Sequence, residues 1–213
     1  MSSVLFVIMS IVAAVLLLTA SITATSGAVD SINSVFYNSD QNIRSAHQYL
    51  AIAAVLGWLG LIILLITFIV AAFTGGFATD TISDEMLLTD NPTIDDIATI
   101  NKTYTELIGG RTAEFVVFVI LITISLSTFI MGILSAVGAA NLGEASQQDG
   151  NSHSAYNSAI ISAITGLLAG GALIVVSLAY SRMKSTRDET VGAIDNYQKR
   201  INLRLAQAAA PSQ

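Results

Sequence analysis

The chain has no cysteine. That excludes disulfide-clamped outer loops, thiolate metal sites and palmitoylation. It also argues against tetraspanin-like or claudin-like proteins, whose outer loops depend on cysteine pairs. Charge is nearly as scarce: 11% of residues are charged, against roughly a quarter in soluble domains, which points to lipid as the solvent. No basic residue precedes the first apolar stretch in MSSVLF. A retained helix is therefore expected rather than a cleaved signal peptide, although Ala24-Thr25-Ser26 offers small residues for cleavage. Position 2 is Ser, not Gly, which removes the usual myristoylation signal. HExxH, P-loop and GxSxG motifs are all missing, so no enzyme and no cofactor are expected.

What the chain does contain is four uncharged apolar runs, Val4–Ala24, Leu50–Phe73, Phe115–Ala140 and Ala159–Tyr180. Each meets the roughly 20 residues needed to cross a bilayer core of about 30 Å. Backbone groups must be satisfied internally there, so each run is helical. The expected fold is an all-α membrane protein with four transmembrane helices. It divides into a first hairpin (1–73), an acidic loop (74–114) with a helix at about 92–108, a second hairpin (115–180) and a basic amphipathic tail (181–213).

Basic residues orient it. The tail carries Arg182, Lys184, Arg187, Lys199, Arg200 and Arg204, and the central loop adds Lys102 and Arg111. The other two loops together offer only Arg44. Both termini and the central loop are therefore expected on the cytoplasmic side. The sequon at Asn101 would then stay unmodified.

The two halves resemble each other. SAHQYLAIAAVLGWLG from Ser45 parallels SAYNSAIISAITGLLAG from Ser154, with Ala54 and Gly57 falling against Ala163 and Gly166 at one fixed offset. LFVI at Leu5 and VFVI at Val117, like SGAVDS at Ser26 and VGAANL at Val137, repeat at a similar offset. The pattern suggests a duplicated hairpin, a parallel repeat because each half has an even number of spans. Within the first connector, Val29, Ile32, Phe36, Ile43 and Leu50 follow helical spacing, with Asn38-Ser39-Asp40 as the turn. QQDGN at 147–151 is the turn of the second. In the central loop Asn91 caps a helix, Pro92 begins it, Asp95 and Asp96 favour its positive end, and Gly109-Gly110 stops it.

Candidate chemistry is sparse. His47 and His153 lie in the outer loops, read as interfacial residues rather than metal ligands, which need further partners. The acids Asp80, Asp84, Glu85, Asp90, Asp95 and Asp96 lack the spacing of a calcium loop and read as a solvated face with helix-start acids. None of the apolar runs contains an ionisable residue, whereas coupled carriers and proton pumps keep such groups in their spans. Thr123, Ser125, Ser127 and Thr128 read as interhelical hydrogen-bonding groups, with a hydroxyl-lined pore as the alternative. Small residues are more telling. Ser162, Gly166 and Gly170 on the fourth helix, Gly132, Ala136 and Ala140 on the third, and Ala53 with Gly57 on the second form four-residue ladders that admit close helix packing. Trp58 is read as packing on a neighbouring helix or lipid. In the tail, Val191, Ile194, Ile201 and Leu205 form an apolar stripe expected to dock a partner protein.

The stretch AHQYLAIAAVLGWLG, the four-span layout and the lack of cysteine together resemble multi-pass inner-membrane proteins of large icosahedral DNA viruses, which have a lipid layer beneath the capsid. The resemblance implies a virion inner-membrane component contacting minor capsid proteins, and assigns no functional residue. The function expected is structural: anchoring a larger assembly to a bilayer. Lipid and other membrane or capsid proteins are the partners, reached through the central loop and the tail, with no nucleic acid. The alternatives are a pore-forming or transporter subunit and an accessory subunit of a cellular membrane complex.

Overall fold

The computed structural model describes residues 2–73, 94–109 and 111–209, and the elements among them are all helices. They are α1 (Ser2–Asn33), α2 (Gln41–Phe73), α3 (Ile94–Gly109), α4 (Arg111–Gly143) and α5 (Gly150–Ala209). Both prolines, Pro92 and Pro211, fall outside these helices, so no span loses a backbone donor. Stretches of α1 (Val4–Asn33), α2 (Gln41–Ala71), α4 (Phe115–Gly143) and α5 (Gly150–Asn202) are long and apolar enough to cross a membrane. The protein is a multi-pass membrane protein whose described elements are all helical.

Helices α1, α2, α4 and α5 form a four-cornered bundle. α1 packs on α2 and α5, α4 packs on the same two, and α1 and α4 barely meet across the diagonal. The buried positions alternate in steps of three and four. On α2 they include Ile43, Ala46, Leu50, Ala53, Gly57, Gly60, Leu64, Thr67 and Ala71. On α1 they include Phe6, Ser10, Ala13, Leu17, Ala20, Ala24, Gly27 and Ser31. A 3.5-residue period keeps one seam facing its partners only if the helices supercoil left-handedly. The seam is not marked by polarity, because both faces of a span are apolar. It is marked by size. Ala, Gly and Ser dominate the middle of the bundle interior, while Ile, Val and Leu point outward to lipid. Lipid tails are as apolar as any side chain, so burying bulk gains little there, whereas small residues bring backbones into close van der Waals contact.

Larger side chains enter the interior toward the ends. At the end where α5 leaves the bundle, Phe6 stacks on Phe68 at 6.1 Å and meets Tyr180 at 5.7 Å between ring centroids. At the turn end a separate apolar cluster gathers Ala28, Ile43, Ala46, Leu50, Ala139, Leu142, Ala155 and Ala159.

Two expectations change. The tail is not a separate helix: α5 runs without interruption through residue 180, where a boundary was expected, and its 60 residues make a rod of about 90 Å. Ser181–Thr190 contains neither Gly nor Pro, so nothing stops it. In the first connector, Ile43 and Leu50 are buried but Val29 and Ile32 are exposed, so they lie off the packed seam. The expected cap at Asn91-Pro92 falls outside the described residues. α3 ends at Gly109.

Candidate functional site

The small-residue ladders fall largely between helices. Gly166 meets Gly132 backbone to backbone: a Cβ on Gly166 would lie 3.1 Å from Gly132 Cα. Gly57 is pressed against Ser21 and Met131, and Gly170 against the Phe129 ring. Ala53 is fully buried. Ser162 Oγ donates to the Ala20 carbonyl at 3.0 Å and lies 2.9 Å from Ser135 Oγ. Since a hydroxyl has one proton, Ser135 is the donor in that pair, and the chain of bonds ties α4, α5 and α1 together. Ser125 Oγ donates to Gly170 O at 3.1 Å. Ala136 and Ala140, however, are exposed and do not belong to the ladder with Gly132. A spacing of four rotates by about 40° per step on a helix of 3.6 residues per turn. The seam instead continues from Met131 through Ser135 and Gly138 to Leu142.

At the turn end two aspartates clasp the hairpins together. Asp40 caps α2, its Oδ1 accepting from the Asn42 N–H at 2.8 Å. Its Oδ2 accepts from both the N–H and the hydroxyl of Ser146 in the other turn, at 2.9 and 2.8 Å. Asp149 caps α5 through the Ser152 N–H at 2.8 Å, with the Ser152 hydroxyl accepting from the Asp149 N–H at 2.7 Å. It also accepts from Ser34 Oγ at 3.0 Å and the Val35 N–H at 2.9 Å in the first turn. Asn42 Nδ2 donates to Glu144 O at 3.1 Å, and Asn151 Nδ2 donates to Asn33 O at 2.8 Å. Each hairpin thus closes on the backbone of the other. Burial works against the Asp149 charge, but the bonds from Ser152, Val35 and Ser34 outweigh it and hold the carboxyl at about 2, below the usual 3.8. Asp40 is lowered in the same way: burial opposes, and bonds from Ser146, Asn42 and Ile43 prevail. The sequence places Asp40, Asp149 and Asn151 in the turns but leaves their clasping role unread, although a signal is present: Asp-x-Asn occurs at Asp40-Gln41-Asn42 and again at Asp149-Gly150-Asn151.

At the opposite end α5 projects as an arm, braced by α3. Ile194 (0% exposed), Val191 and Tyr197 are buried with Ile100, and Ile201 and Tyr104 pack against them. Tyr104 Oη donates to Asp195 Oδ1 at 2.7 Å and Gln198 Nε2 to Asn101 Oδ1 at 3.1 Å. The stripe expected to dock a partner protein is therefore covered by a helix of its own chain. The two amphipathic segments satisfy each other. The side chain of Leu205 lies outside the described residues.

The remaining candidates disperse. His47 Nδ1 lies 2.9 Å from the Ala28 carbonyl, and its ring meets Tyr37 edge-on. His153 is exposed. Among the described residues no group of three His, Asp or Glu side chains is placed to hold a metal. The Trp58 indole N–H donates to Thr25 Oγ1 at 3.1 Å, which satisfies a polar group within the span and ties α2 to α1. Thr123 and Ser127 line a groove of about 270 Å³ between α2 and α4 with Gly60, on a different side from Ser125. The acids 80–90 are outside the described residues. Compared with known proteins, the chain matches no family model, no curated protein and no solved structure.

Proposed function

We propose that the protein is a structural membrane anchor that holds a larger assembly to a bilayer through its helical arm. The observation that carries this reading is α5. The fourth span continues into the arm as one helix, so a load on the arm passes directly to the bundle, and α3 stiffens the arm at its side. The basic residues on and beside the arm support a cytoplasmic placement, with the turns Ser34–Asp40 and 144–149 on the other side. The resemblance to inner-membrane proteins of icosahedral viruses makes a capsid over an internal membrane the assembly to test first. In this reading the partner contacts the polar outer face of the arm, because its apolar stripe is occupied.

The same reading treats the hairpins as copies of one unit. Supporting it are pairs of equivalent contacts: Asn42 to Glu144 and Asn151 to Asn33, Gly27 against Ala155 and Gly138 against Ala46, and the paired caps Asp40 and Asp149.

A chain cut after Lys184 should insert normally yet leave the fraction in which the full chain sediments with its assembly. Co-sedimentation at unchanged stoichiometry sinks the proposal. Reconstituted in liposomes, the full chain should give no ion flux above empty vesicles. Selective currents lost in Thr123→Val or Ser127→Ala would put a pore in place of the anchor.

A further inference from the structure

We propose that the apolar groove between α4 and α5 holds one acyl chain of an anionic phospholipid, with Arg182 and Lys184 meeting its phosphate. This goes beyond the anchor reading and does not depend on it.

The groove, about 350 Å³, is lined by Phe118, Ile122, Leu126 and Phe129 of α4 and by Ile174 and Leu178 of α5. Ser125 and Ser177 also border it, but neither proton is free. Ser125 Oγ donates to Gly170 O at 3.1 Å and Ser177 Oγ to Leu173 O at 2.8 Å. What remains is an apolar trough suited to methylenes. Its volume lies near the lower limit of ligand pockets, about 300 Å³, which admits one chain and not a whole lipid. Phe118 to Phe129 covers about 17 Å along the helix, roughly half of a bilayer core of about 30 Å. The groove therefore has the length of one leaflet. Phe129, whose ring lies against Gly170, stands at the deep end, and Phe118 and Leu178 at the shallow one.

Positive charge stands over the shallow end. Arg182 follows Leu178 by four residues and Lys184 follows Ser177 by seven. At 3.6 residues per turn, each therefore stands over a residue that borders the groove. Both are exposed. α4 and α5 run antiparallel, and the Ser125–Gly170 bond sets Phe115, where the exposed apolar face of α4 begins, within a turn of Arg182. That level is the edge of the hydrocarbon, so a chain lying in the groove brings its phosphate to Arg182 and Lys184. Asp188 comes about 9 Å beyond Arg182, outside a headgroup layer of roughly 5–8 Å. The groove between α2 and α4 gives the contrast. It is apolar too, but α2 carries no basic residue from Leu56 to Phe73 and brings no positive charge to its mouth. Basic residues beside spans attract anionic headgroups, and that complementarity names the occupant of the α4–α5 groove.

The full chain, purified in detergent with equal amounts of dioleoyl-phosphatidylglycerol and dioleoyl-phosphatidylcholine, should retain the phosphatidylglycerol in native mass spectrometry. At about fivefold per basic residue, the preference should be roughly twenty-five-fold. Arg182→Gln/Lys184→Gln should abolish that preference. Ile174→Trp, which fills the groove and leaves the charge in place, should cut retention of phosphatidylglycerol at least tenfold. Ile63→Trp, in the groove between α2 and α4, should leave it unchanged. If Ile174→Trp fails to fold, Leu178→Trp at the shallow end makes the same test. The proposal is overturned if the two lipids are retained equally, or if the double variant keeps the preference. It is equally overturned if filling the groove leaves retention intact, since the headgroup would then bind the surface without the chain.

Discussion

Gly166 and Ala136 are both small residues on spans, yet their substitution should have opposite results. A Cβ on Gly166 meets Gly132 backbone, which cannot move aside as a side chain tip can. Gly166→Val should therefore destabilise the bundle by about 1–3 kcal/mol or more, as overpacking does, read as an earlier unfolding midpoint in mixed micelles. Ala136→Val points outward and should leave that midpoint unchanged. Asp149 allows a second test at this scale. Its folded pKa is depressed to about 2, so it contributes stability that is fully present above the unfolded value of about 3.9. That contribution is lost as pH falls toward 2. Thermal unfolding in detergent should thus weaken between about pH 4 and pH 2, and Asp149→Asn should lower stability at pH 7 and flatten that part of the profile. An identical profile for the variant would mean the clasp carries no weight.

Two amphipathic segments, each incomplete alone, explain the arm. α3 is 16 residues long, near the length at which an isolated helix is marginal in water, and it holds its place through Ile100 and Tyr104. Placing a carboxylate among these side chains costs several kcal/mol. Ile194→Asp should release α3, raising hydrogen exchange in residues 94–109 at least tenfold while the spans keep their protection. Exchange in α3 equal to that of the unsubstituted chain would mean that the packing at Ile194 does not hold it. The sequence shows both apolar stripes, Val191, Ile194, Ile201 and Leu205 in the tail and Ile97, Ile100, Tyr104 and Leu107 in the central loop. It does not show that they belong to each other, because a stripe specifies burial and not the partner that provides it.

For the whole molecule, the basic arm and the two turns should lie on opposite sides of the membrane. Cysteines at Ser39 and Asn202 should react with an impermeant thiol reagent from opposite faces of sealed vesicles. Labelling of both from one side would contradict the four-span path. Close backbone contact and polar ties at its middle and its turn end join the helices of the bundle.

Length and hydropathy alone marked the four helices long and apolar enough to span among the described residues, and polar turn residues marked where the hairpins reverse, because a bilayer leaves no alternative to an internally bonded helix of about 20 residues. Only the tertiary structure decided which small residues face a neighbour. Gly132 and Ala136 look alike in the sequence, but a 3.5-residue seam keeps one and turns the other out. Tertiary structure also decided the clasp, since a capping aspartate has two oxygens and the sequence accounts for only one. The second oxygen of Asp40, like that of Asp149, finds its donors more than a hundred residues away, where only folding brings them within reach.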